Sequence, residues 1–216
     1  MSVRTTGRAV GALFLLAFVV YMTGNALAGS GEAADQARTG AGALLMLANS
    51  AAVAGIGVLM FPVLRRHHEL SAHAYLVSRV VEAVMLAVGV VFLLLLIPLA
   101  RDASGLPSLA SVARQGNLYA YQIAMISLGL GSLMFCRVLF QARLVPRFMA
   151  IWGMVGYAVF ATGAILEVLG YGVGVTLSIP GGLFEVALGV LLVAKGFPAE
   201  PERAPVADVG LVSELS

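Results

Sequence analysis

Six long apolar runs, separated by short polar breaks, set the pattern of this chain. They cover about residues 9–29, 40–64, 75–99, 117–141, 148–170 and 175–196. Each is close to the ~20 apolar residues with which a helix crosses a bilayer. The pattern therefore predicts an all-α integral membrane bundle of six transmembrane helices, forming one domain over residues 1–197. The stretch 198–216 is rich in Pro, Ala and Glu, and is predicted to be a disordered tail.

The breaks differ in character. Residues 30–39 form a polar loop with Glu32, Asp35 and Arg38, and Arg65-Arg66-His67-His68-Glu69 is strongly polar. Residues 101–116 carry Ser104, Pro107, Ser108 and Ser111 and read as a loop. A basic turn with Arg143, Pro146 and Arg147 follows the fourth run. Pro180-Gly181-Gly182 interrupts the sixth run, which predicts a helix broken at membrane depth. The first run has two readings. Arg4 and Arg8, an apolar core and Ala26-Leu27-Ala28 resemble a cleavable signal peptide, yet the run also extends to a full span.

Composition sharpens this picture. With 60% hydrophobic and 11% charged residues, the chain is not an ordinary water-soluble domain. Its single cysteine, Cys136, excludes an intrachain disulfide and a cysteine-based metal site, and reads as an apolar packing residue. Where the charge lies matters more than its total. Arg4, Arg8, Arg65, Arg66, Arg143, Arg147 and Lys195 fall on one side, against Arg38, Arg101 and Arg114 on the other. That bias predicts a multi-pass membrane protein with both termini in the cytoplasm. Phe148 and Trp152 then mark the inner interface, and Tyr119, Tyr121 and Tyr171 the outer one.

Candidate chemistry lies in the charges that the spans keep. Arg79 and Glu82, three residues apart, share a helix face near the start of the third run. Glu185 lies ten residues before Lys195, about 15 Å into the bilayer, just after the Pro180-Gly181-Gly182 break. A helix restarting there would aim free N–H groups towards it. The alternative is a neutral acid, hydrogen-bonded within the bundle. Glu167 falls at the outer end of the fifth run, and Arg137 lies near enough to the inner edge of its span to snorkel. Gly182 and Gly189 share the face of Glu185, Gly163 and Gly170 that of Glu167, and Gly89 that of Glu82. Since glycines mark close helix approach, these carboxylates are expected to point inward, with Asn49 and Gln122 as neutral companions.

Several stretches together resemble a known family. They are Ser78-Arg79-Val80-Val81-Glu82, Pro146-Arg147, Trp152-Gly153-Met154-Val155-Gly156-Tyr157, Gly163, and Ile165-Leu166-Glu167. The most specific is Ile179-Pro180-Gly181-Gly182-Leu183-Phe184-Glu185-Val186-Ala187-Leu188-Gly189. The chain thus resembles the bacterial membrane proteins of domain of unknown function family 4386, over all but the tail. The resemblance implies a bacterial cytoplasmic membrane as the location, and that the first span is kept. It carries no activity, substrate or cofactor with it.

Other chemistry finds little support. His68-Glu69-Leu70-Ser71-Ala72-His73 has one residue too many for the zinc-protease H-E-x-x-H motif, which turns the second imidazole about 100° away on a helix. No span has a central histidine to ligate haem or serve as base to Ser50, Ser127 or Ser132. No metal, cofactor or nucleic acid is expected. Three functions stay open. Inward carboxylates with Arg79 could bind or translocate a proton, a cation or a small polar ligand. The cluster could instead fix helix packing in an accessory subunit with a membrane-protein partner. The third is an intramembrane enzyme using a carboxylate as acid or base. The lipid bilayer is the one partner read directly, and oligomeric state is not legible.

Overall fold

The computed structural model describes residues 2–29, 36–101 and 107–198. All secondary structure among them is helical. The helices are α1 (Val3–Gly29), α2 (Gln36–Arg65), α3 (Glu69–Arg101), α4 (Pro107–Gln141), α5 (Arg147–Val168) and α6 (Gly174–Lys195). All six are long and apolar enough to cross a membrane. Large side chains such as Leu44, Val58, Leu183 and Val175 stand exposed on their outer faces, as lipid contact requires. The expected tail beyond Pro198, and Glu32 and Asp35 of the first loop, lie outside the described residues.

The six helices form a ring. Each packs mainly on its neighbours in sequence, and α1 closes the circle against α6. Consecutive helices run up and down, so Arg4, Arg65, Arg147 and Lys195 gather at one end, here the basic end. Close approaches are made where neither helix carries bulk. A Cβ on Gly24 would lie 2.9 Å from the Gly42 carbonyl on α2, and one on Gly11 would lie 2.7 Å from the Gly189 carbonyl on α6. The half of the ring nearer the basic end is filled by Val10, Met60, Tyr75, Phe135, Leu139, Leu188 and Leu192, all fully buried or nearly so.

Two expectations need correction. The loop expected over 101–116 is mostly helix, because α4 starts at Pro107. Proline suits a first helical turn, and the Ser111 hydroxyl donates to the Ser108 carbonyl within the helix (2.8 Å), so these turn-type residues do not stop it. The break expected at Pro180-Gly181-Gly182 is absent, since α6 runs unbroken from Gly174 to Lys195. An open backbone in hydrocarbon would leave polar groups without partners, which favours the helix despite the missing proline N–H. The glycine there serves packing instead: a Cβ on Gly156 of α5 would lie 3.3 Å from the Gly181 Cα.

Candidate functional site

Arg79 lies ten residues into α3, about 15 Å from its start, and is fully enclosed (2% exposed). Its own helix supplies two partners at helical spacing. Nη1 donates to Glu82 Oε2 (3.0 Å), and Nε donates to the Tyr75 hydroxyl (2.9 Å). The third partner comes from the far side of the ring, where Nη2 donates to Glu185 Oε1 at 3.4 Å. The Tyr157 hydroxyl of α5 donates to the same oxygen at 2.7 Å. Aromatic rings cover the guanidinium, with Phe14 centred 5.3 Å and Tyr75 5.2 Å from it. In a medium of low dielectric such contacts are worth more than in water, and losing one costs correspondingly more.

One guanidinium therefore meets two carboxylates. The two acids are not equivalent: the Glu82 side chain is 4% exposed and that of Glu185 24%. Glu185 faces a cavity of about 200 Å³ that occupies the ring's other half. Arg79, Glu82 and Glu185 line its deep end. The walls are apolar and aromatic, with Phe14, Phe18, Tyr21, Tyr121, Met125 and Phe160 among them. Tyr21 and Tyr121 stack at 5.8 Å toward the end of the cavity away from Arg79. Asn49 also lines it, is 5% exposed, and makes no side-chain hydrogen bond to another described residue. A buried amide of this kind has donors and an acceptor to offer to whatever fills the space.

The candidates named from sequence thus divide. Arg79, Glu82 and Glu185 are joined by direct contacts, and Asn49 shares their cavity. Gln122 is buried but lies outside the cavity lining. Glu167 has a different setting, at the last turn of α5, where its Oε2 accepts the Gly174 N–H (2.7 Å) at the start of α6. It satisfies a helix N-terminus there, and the α5 end beside it closes in a Schellman turn with Gly170 at φ +91°. The N-terminus of α6 is therefore eleven residues from Glu185 and cannot act on it as a restarted helix would. His68 and His73 do not converge either. Nδ1 of His68 accepts the Ser71 N–H at the start of α3, and His73 stays beside the Glu69 carbonyl.

Two site residues had no clear signal in the sequence. Tyr157 stands in the sequence only as the last residue of the Trp152-to-Tyr157 stretch, with no role attached, and only the fold brings it to Glu185, 28 residues away. Phe14 lies in the middle of an apolar run, indistinguishable there from a lipid-facing phenylalanine.

The family described as Domain of unknown function (DUF4386) matches residues 9–196, and the chain belongs to that family. No curated protein and no solved structure matches it.

Proposed function

We propose that this member of a family of unknown function binds a cation or a proton in its central cavity, with Glu185 as the receiving group. The observation that carries the reading is the shared guanidinium. Arg79 balances one carboxylate while two stand against it, and Glu185 is the one that faces open space. Charge left in hydrocarbon is costly, so a site one positive charge short favours a cationic occupant. The Tyr157 hydroxyl and the Arg79 guanidinium hold Oε1, and among the described residues none hydrogen-bonds Oε2, which stays available to a ligand. The packed half of the ring below the cluster closes the cavity toward the basic end, which fits binding or one-sided access.

Glu185→Gln tests this, because it keeps the shape and removes the charge. The protein should insert and fold, with cation binding in lipid nanodiscs reduced by about ten-fold or more. Unchanged binding in a folded variant would overturn the reading. It would leave the accessory-subunit function ahead, which the complete enclosure of the Arg79–Glu82 pair favours.

The basic bias supports an orientation with both termini inside, which would put the cavity in the outer half of a bacterial cytoplasmic membrane. A reporter fused after Ser216 should behave as cytoplasmic, and one inserted at residues 102–106 as external. The reverse result would overturn this orientation.

A further inference from the structure

Resting on the reading of Glu185 as a cation site, we infer that the cavity opens sideways into the bilayer between α1 and α6, and that its ligand is a small membrane-partitioning amine. The mouth is identified by which lining residues are exposed. Those from α2, α3 and α5 are all buried, and those from α4 are buried except for the partly buried Tyr121. The exposed ones are Phe18 and Met22, both on α1, and on α6 the lining residues Ser178 and Gly182 are half-exposed.

The way α1 meets α6 explains the gap. Toward the basic end the two helices are locked by glycines. A Cβ on Gly7 would lie 2.6 Å from the Phe197 nitrogen, and Gly11 faces the Gly189 carbonyl in the same way. Toward the other end no such contact holds them. A Cβ on Gly182 would meet nothing within 4 Å. Phe14, Ala17, Phe18, Tyr21 and Met22 recur at helical spacing along α1, so one stripe of that helix leads from the lipid face down to the cluster.

The lining then selects the ligand. At about 200 Å³ the space is below the ~300–1,000 Å³ that suits drug-sized molecules. Its walls are mostly aromatic and aliphatic, with Asn49 among them, down to the charged floor formed by Glu185, Arg79 and Glu82. A hydrated metal cation would have to leave its water in such a passage. An apolar body bearing one protonated nitrogen gains from the walls, from cation–π contact with rings near the floor, and from the Glu185 carboxylate. Such a molecule is also concentrated at the mouth, because each CH₂ it buries in the bilayer is worth ~0.8 kcal/mol.

The test uses the full chain in lipid nanodiscs, with empty nanodiscs as the partitioning control. Three probes are compared: phenylbutylamine, its neutral counterpart phenylbutanol, and methylammonium. Phenylbutylamine should bind about ten-fold or more tightly than either of the others, and Glu185→Gln should remove that preference. Gly182→Trp and Met22→Trp, one on each side of the mouth, should each slow its association by about ten-fold or more. A Cβ on Gly182 would meet open space and Met22 is already exposed, so thermal stability should be kept and the two variants check each other. Methylammonium binding as tightly as phenylbutylamine, still lost in Glu185→Gln, would overturn the amphipathic ligand while sparing the cation site. Unchanged association in both mouth variants would overturn the lateral route. Binding of both amines that ignores Glu185→Gln would overturn the cation site itself.

Discussion

Arg79→Met should be among the most damaging single substitutions in the protein, costing on the order of 3–5 kcal/mol of stability. Its hydrocarbon chain would still fill space between Phe14 and Tyr75. What is lost is the one positive charge that Glu82 and Glu185 share, with Glu82 left enclosed beside an apolar side chain. Glu82→Gln alone should cost less, since an amide can still accept from the guanidinium. The informative variant is the double one. Residues that act as a unit give coupled effects, so Arg79→Met with Glu82→Gln should cost less than the two single changes added, by ~1 kcal/mol or more. Unfolding midpoints in detergent measure all three, and additivity within error would refute the pairing.

The second large effect is expected at the α1–α6 contact. Gly11→Ala puts a methyl group 2.7 Å from the Gly189 carbonyl oxygen and 2.8 Å from the Val193 nitrogen. Both are backbone atoms of α6, so no side chain can turn aside and the helices must separate. Overpacking of this kind costs ~1–3 kcal/mol, and Gly11→Val should exceed it. Gly182→Ala is the matched control, on the same pair of helices but over open space. Replacing a helical glycine there should be neutral, or stabilising by up to ~0.5–1 kcal/mol. Opposite signs in the two melting-point shifts are the expected result. Equal shifts would show that the helices are not locked where the glycines lie.

Much of the fold was legible because bilayer crossing imposes a length and an apolar character that no other constraint imitates. The same simplicity hid the details. Within hydrocarbon, Pro180-Gly181-Gly182 loses its force as a stop signal, since no water is present to take over the backbone groups. Ser108 and Ser111 lose theirs for a local reason, being able to bond inside the helix they were expected to precede. Pairing of Arg79 with Glu82 could be read from spacing, because it depends on one helix alone. Its extension to Glu185 spans 106 positions and depends on how the ring closes, so sequence could offer Glu185 only as a separate candidate. Glu167 looked equally acidic and equally placed beside glycines. Its contact with the Gly174 N–H comes from a turn geometry that its neighbours do not announce.

The ring also implies an order of assembly. Helices that pack on their neighbours in sequence can associate as the ribosome delivers them, whereas the α1–α6 contact must wait for the final helix. Until then Glu185 is unavailable, and Arg79 would cross the translocon as a lone cation if that were its only counter-ion. Tyr75 and Glu82, one turn away on either side, spare it that state, because α3 enters the bilayer with its charge already matched. The helix thus brings its own counter-ion into the bilayer, and ring closure adds the Glu185 carboxylate to a pair already formed.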